Sequence, residues 1–214
     1  MKAEILTNFQ KVFNVYRPQR ICEIGTHDGK SASQFCDYML NHLGIERLYY
    51  KGYDAFDLAN NQTHQIEVNG KGSGSLAKAT SRLNAYSGKH SKRFEYHLVK
   101  GWTQDTLEQE VFDFVYIDGG HSYDTVKHDY NKVKDSKVIV FDDYQEPTVA
   151  KFIDELIAEL DIPKYDLQTA IEADHSCWAL LNDVPTKHSG KLEKYQKENK
   201  KIPWHIQPVI FNRS

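Results

Sequence analysis

The stretch that decides the fold is RICEIGTHDGKS, residues 20–31. Arg20 to Ile24 is an apolar run of the length of a short buried strand. Gly25-Thr26-His27-Asp28-Gly29 then turns the chain into a segment that carries Ala32, Phe35, Cys36, Met39, Leu40 and Leu43 at helical spacing. Gly44 stands where that helix would stop. Strand, glycine turn and helix in this order make one unit of a parallel α/β sheet, whose ligands bind beyond the carboxyl ends of the strands. The turn is spaced E-x-G-x-x-x-G, which is not the G-x-G-x-x-G of dinucleotide-binding proteins.

The same alternation extends in both directions. Upstream, Ile5, Leu6, Phe9, Val12, Phe13 and Tyr16 recur at helical spacing until Pro18, which predicts a packing helix rather than a leader peptide. Downstream, strands are predicted over Leu48 to Tyr53, Phe94 to Val99, Phe112 to Ile117 and Val138 to Phe141. Helices are predicted over Leu76 to Tyr86, along the stripe Tyr123, Val126, Tyr130, Val133, and from Pro147 onward. Tyr165 to Ala170 and Ser176 to Asn182 flank a short turn and read as a hairpin. The expected fold is α/β: a Rossmann-like, doubly wound, mostly parallel sheet with an antiparallel C-terminal hairpin strand. Residues 1–184 would form this domain, and 185–214 a basic and apolar extension. Asp57 to Ser75 is polar and Gly-rich, longer than most loops, and is flagged as a lid.

Composition narrows the function. The chain has 214 residues, 40% of them hydrophobic and 27% charged, enough to bury one core, and its net charge of -3 gives no positive field for nucleic acid. No apolar run approaches the roughly 18 residues of a membrane span. Cys22, Cys36 and Cys177 are odd in number and set in apolar segments, as buried thiols of a reducing, cytoplasmic compartment would be. The expected partner is a small molecule, with neither nucleic acid nor membrane, and a homo-oligomer is compatible with the sequence.

Candidate site residues are those that follow each strand. Glu23, Gly25, Thr26, Gly29 and Ser31 belong to the first turn, where glycines let backbone N–H groups approach a ligand at a helix N-terminus. Asp54 ends the second strand, where a carboxylate can accept from both hydroxyls of a ribose. Trp102 follows the third strand and can either stack on a flat base or fill core. Gly70-Lys71-Gly72-Ser73 is no phosphate loop, because no glycine stands at position 65 and no Ser or Thr follows Lys71. If the fourth and fifth strands are neighbours, Asp118, Asp142 and Asp143 converge, and their repulsion calls for a divalent cation with oxygen ligands, Mg²⁺, Mn²⁺ or Ca²⁺. His121, three residues after Asp118, could take a proton from a substrate hydroxyl.

These residues resemble a known family. From about Ile21 to Asn182 the chain is similar to class I S-adenosylmethionine-dependent methyltransferases, and within them to metal-dependent O-methyltransferases acting on sugar hydroxyls of macrolides and aminocoumarins. Residues 24–29 resemble the nucleoside-binding first motif, residues 53–56 the acidic second motif, and residues 99–102 the segment after the third strand. Tyr116-Ile117-Asp118-Gly119-Gly120-His121-Ser122-Tyr123 and residues 138–144 are the more specific matches. The resemblance implies S-adenosylmethionine as donor, Mg²⁺ or Mn²⁺ on Asp118, Asp142 and Asp143, and His121 or a carboxylate as base, with Asp118 at the reacting centre. Many relatives carry an acid where this chain has Gly120. Two rivals stay open at this point: an NAD(P)-linked oxidoreductase, which would use the same Asp54, and a non-catalytic donor-binding protein.

Overall fold

A computed structural model describes residues 3–60, 63, 66–67, 72–160 and 178–181 of the chain. Helix α1 (Ala3–Tyr16) leads into strand β1 (Arg20–Ile24), and α2 (Lys30–Asp37) follows the glycine turn, widening into a π turn at Tyr38–His42. Then come β2 (Leu48–Asp54), a 3₁₀ turn (Phe56–Leu58), α3 (Leu76–Lys89), β3 (Phe94–Lys100) and a short α4 (Thr103–Thr106). The chain continues through β4 (Phe114–Ile117), α5 (Tyr123–Val133), β5 (Val138–Phe141), α6 (Pro147–Leu160) and β6 (Trp178–Leu181). Among the described residues no helix is long and apolar enough to cross a membrane.

The sheet order is β3-β2-β1-β4-β5-β6, with β1 to β5 all parallel and β6 paired antiparallel to β5. The order reverses between β1 and β4, which makes their carboxyl ends the crevice of a doubly wound fold. The register sharpens this. Ile24 pairs with Tyr53 on one side and Ile117 on the other, and Ile117 pairs with Phe141. The next residues, Gly25, Asp54, Asp118 and Asp142, therefore stand in one row at the edge of the sheet.

Two apolar layers hold the row in place. On one face Phe13 of α1 meets Phe114 of β4 edge-on at 5.0 Å and Phe35 of α2 at 5.3 Å, and all three rings are fully buried. On the other, Val126, Tyr130 and Val133 of α5 pack with Phe152, Ile153 and Leu156 of α6. Each layer covers apolar residues of the short β4 and β5, whose residues are all buried. Such strands read as continuous apolar runs, which is how the sequence shows them.

Several expectations shift at their edges. β4 starts at Phe114 rather than Phe112, because the Phe112 N–H is given to Ser136 Oγ at 3.0 Å instead of to the ladder. α3 runs through Gly88 to Lys89, since that glycine meets nothing within 4 Å and its face is open to water. The expected lid is less loop-like than its composition: Thr63, Ile66 and Glu67 are helical. Cys22 and Cys36 are buried free thiols, as expected. The hairpin arm Tyr165 to Ala170, Cys177 and the extension 185–214 lie outside the described residues, and with them the boundary at 184.

Candidate active site

The first turn is built around a close approach. Gly25 has φ of +95°, and a Cβ there would lie 1.8 Å from the carbonyl oxygen of Asp118, so only glycine lets the β1 and β4 tips meet. Its N–H, like that of Thr26, is bonded to the Tyr53 carbonyl. Asp54 accepts from His27 N at 2.7 Å and from Phe56 N at 2.5 Å. Each carboxylate oxygen has a further lone pair, so two hydroxyls can still be accepted. Burial pushes the Asp54 pKa up, against these two N–H bonds.

Beneath the turn lies a polar layer that does not line the cleft. Glu23 is fully buried and accepts from Ser31 Oγ and from Tyr50 OH, while Tyr50 OH lies 3.4 Å from Thr26 Oγ1. Desolvation pushes the Glu23 pKa up to about 7. Gly29, in the left-handed region, starts α2. Of the eight expected donor-binding residues, Gly25, Asp54, Trp102 and Asp118 face the cleft. Glu23, Thr26, Gly29 and Ser31 do not, and serve instead to hold the turn. Their sequence pattern fits both roles, because a tight turn needs its own supports.

The cleft itself has a volume of about 720 Å³, in the range of small-molecule and cofactor sites. Its walls are the β1 and β2 tips, the Gly101-Trp102-Thr103-Gln104 segment after β3, and the Gly119–His121 turn with Thr125 and Asp129 of α5. Glu67, from the segment between β2 and α3, also lines it. The Glu67 carbonyl accepts from His121 N at 2.7 Å, and its carboxylate accepts from Ser122 N at 3.2 Å.

A smaller depression adjoins the cleft and shares Asp118 to His121 with it. Here one oxygen each of Asp118, Asp142 and Asp143 lies within 4.8 Å of the others. The expected convergence is therefore met, and it follows from β4 and β5 being neighbours. Tyr116 OH donates to Asp142 Oδ2, and Gln145 Nε2 donates to Asp143 Oδ1 at 2.6 Å. Asp143 adopts φ of +54°, a strained conformation for a residue with a Cβ, and such strain gathers at functional sites. His121 Nε2 lies 2.8 Å from Asp143 Oδ2, with both side chains under a tenth exposed. Its Nδ1 is buried with no hydrogen-bond partner among the described residues. All-oxygen donors this close fit a hard divalent cation.

Sequence reading missed His27, Glu67, Gln104 and Asp129, all of which line the cleft. Asp129 carried a signal: it falls between Val126 and Val133 on the apolar stripe of α5, where an acid is out of place.

A sheet that reverses at β1/β4, a glycine turn against it, an acid at the β2 tip and an acid cluster beyond β4 and β5 together define a class I methyltransferase domain. The chain belongs to that family: a family model described as a methyltransferase domain matches residues 22–144. The uncharacterized protein R132 of Acanthamoeba polyphaga mimivirus is 30% identical over 153 residues, covering 67% of this chain and 61% of that protein. The chain thus spans about three fifths of the length of this curated relative. In structure, the O-methyltransferase NovP is similar with a TM-score of 0.61 at 15% identity, covering 82% of this chain and 78% of that one. The calicheamicin methyltransferase CalS11 is similar with a TM-score of 0.61 at 17% identity, covering 86% and 81%. At these identities the likeness is one of fold. The family match does not favour the oxidoreductase reading.

Proposed function

We propose that the protein is an S-adenosylmethionine-dependent O-methyltransferase, assisted by Mg²⁺ or Mn²⁺, that acts on a hydroxyl of a small molecule or sugar. The observation that carries this reading is the acid cluster, whose oxygens gather within 4.8 Å beside the cleft. NovP and CalS11, similar in fold, are an O-methyltransferase and a calicheamicin methyltransferase.

Bound in the cleft, S-adenosylmethionine would supply a methyl group activated on a sulfonium. Gly25 lets the β1 and β4 tips meet in the cleft wall, and Asp54 would offer its remaining lone pairs to the ribose hydroxyls. A divalent ion on Asp118, Asp142 and Asp143 would supply Lewis acidity toward an alcohol oxygen. The need is large: with bulk water's pKa of about 15.7 standing in for an alcohol, ionisation at pH 7 costs about 12 kcal/mol. An imidazole alone falls far short of that. Nitrogen nucleophiles carry a lone pair when neutral and would have less use for three such acids, which favours oxygen as the acceptor atom.

His121 is the proposed proton acceptor. Its Nε2 lies 2.8 Å from Asp143 Oδ2, and its Nδ1, the atom without a described partner, is the nitrogen that would take the proton. The net charge of -3 favours a small acceptor over nucleic acid.

Incubation with methyl-labelled donor and a panel of hydroxyl compounds, read by mass spectrometry, tests the reading. Labelled ether products are expected, lost in chelator and restored by Mg²⁺ or Mn²⁺. In the Asp142→Ala variant turnover falls at least about 100-fold while donor binding is kept. Turnover that survives both chelation and this substitution would remove the metal from the reading.

A further inference from the structure

We infer that the acceptor is an amine-bearing hydroxyl compound, cationic at neutral pH, and that the Glu67 carboxylate anchors its ammonium group beside the reacting hydroxyl. The inference rests on the methyl-transfer reading above and names the substrate class that this site would take.

Glu67 is the acid of the cleft lining to which the proposed chemistry gives no task. In that reading Asp54 meets the ribose and Asp118 the ion, while Asp129 is fully buried against Thr103. Glu67 is only partly buried, and it stands at the reacting end of the cleft. Its carbonyl accepts from His121 N at 2.7 Å, and its carboxylate accepts from Ser122 N at 3.2 Å. The carboxylate lies against Gly120, in the turn between Asp118 and His121. A substituent a few bonds from the reacting oxygen would therefore meet Glu67 rather than Asp54, which stands at the β2 tip.

The ordinary structural task for this carboxylate, capping α5, is already carried by another residue: Ser122 Oγ accepts from Thr125 N at 3.3 Å. The contact of Glu67 Oε1 with Thr125 Oγ1 is long, at 3.5 Å. A carboxylate offers about four lone pairs, so accepting capacity remains for a ligand. The surrounding charge selects the sign of that ligand. The described residues that line the cleft carry four carboxylates and two histidines, and neither lysine nor arginine. An ion on the acid cluster does not reverse this sign, because three carboxylates outweigh one divalent cation. The charge of Glu67 also reaches Asp129, whose pKa is pushed up to about 7 by burial and by Glu67, against the Thr103 hydrogen bond. A cation placed beside like charges relieves their repulsion, and an anion adds to it.

The rival task for Glu67 is to face the sulfonium of the donor. The two separate because one acts on the choice of acceptor and the other on donor affinity. Turnover of methyl-labelled donor by the full chain would compare two matched sets in ammonium, neutral and anionic form: glucosamine, glucose and glucuronate, and tyramine, 4-ethylphenol and 4-hydroxyphenylacetate. In at least one set the ammonium member should exceed the neutral one about 10-fold in kcat/KM, with the anionic member below both. That is the low end for a hydrogen bond to a charged group, because Glu67 is partly exposed. In Glu67→Gln the ratio should fall to within about threefold of unity, through KM, and in Glu67→Lys the anionic member should overtake the ammonium one. Both variants should retain the thermal midpoint and the calorimetric affinity for S-adenosylmethionine. A variant that loses donor affinity with the acceptor ratio unchanged would overturn the inference in favour of the rival. A parent that methylates neutral or anionic members as well as ammonium ones would overturn it too, while methyl transfer to a hydroxyl stands. Donor binding with no product from any member would likewise overturn the inference, whereas a parent that does not bind the donor would overturn the reading beneath it.

Discussion

Replacing Glu23 with glutamine should change how stability depends on pH while leaving the cleft lining untouched. Glu23 is fully buried under the first turn, and its pKa is pushed from an ordinary 4.5 to about 7, chiefly by desolvation, with the Ser31 and Tyr50 hydrogen bonds opposing. The folded state therefore holds this proton more tightly than the unfolded chain. Stability from this group is fully present below about pH 4.5 and is lost as pH rises toward 7, after which the loss is constant. A shift of about 2.5 units at about 1.36 kcal/mol each makes the total about 3 kcal/mol. Glutamine has no such titration. Its carbonyl still accepts from Ser31, and its amide can donate to Tyr50 OH, which is then free to turn its proton toward Thr26 Oγ1, 3.4 Å away. Urea unfolding of parent and variant at pH 5, 6, 7 and 8 isolates the group, because Asp129 and the other acids cancel in the difference. The variant should gain about 2.5 kcal/mol relative to the parent between the lowest and highest pH, since part of the total is already lost at pH 5. A difference that stays flat across this range would refute the reasoning, by showing that the two hydrogen bonds offset the cost of burial.

Gly25→Ala puts a methyl group 1.8 Å from the Asp118 carbonyl oxygen at φ of +95°, so the β1 and β4 tips must part. Destabilisation of about 2 kcal/mol or more is expected, together with loss of donor binding, read by thermal shift with and without S-adenosylhomocysteine. Phe13→Ala empties the centre of the aromatic cluster against Phe35 and Phe114. It should cost about 3–5 kcal/mol in urea unfolding, yet change donor affinity little while the protein stays folded, because Phe13 lies on the face away from the cleft lining.

How much of this was legible in the sequence depends on the kind of contact. Strand cores such as Val138 to Phe141 were readable because a strand covered on both faces needs an unbroken apolar run. The acids at the tips were readable because each stands directly after such a run. Whether they converge was not, since that depends on β4 and β5 pairing Ile117 with Phe141, a long-range register that no local pattern encodes. Glu23 and Ser31 show a second limit of local reading. Their spacing in the turn suggested donor contacts, and the structure gives them to each other. A motif reports that residues are near a ligand, not which layer around it they occupy.

The lid segment shows what lies beyond local reading. Sequence alone marked residues 57–75 as a polar loop and marked Gly120 as a departure from relatives that carry an acid there. These two observations concern one place. A Cβ on Gly120 would fall 2.4 Å from Glu67 Oε2, so a side chain at 120 and the present position of Glu67 exclude each other. The carboxylate at this point of the cleft comes from Glu67, in the segment between β2 and α3. There it accepts from Ser122 N at the start of α5, where an acid is favoured by the unpaired N–H groups of the helix end. The Glu67 carbonyl takes the His121 N–H as well, which ties the lid to the residue proposed to accept the proton. Glu67 and Gly120, fifty-odd residues apart in the chain, form a single local arrangement, and only the fold brings the two together.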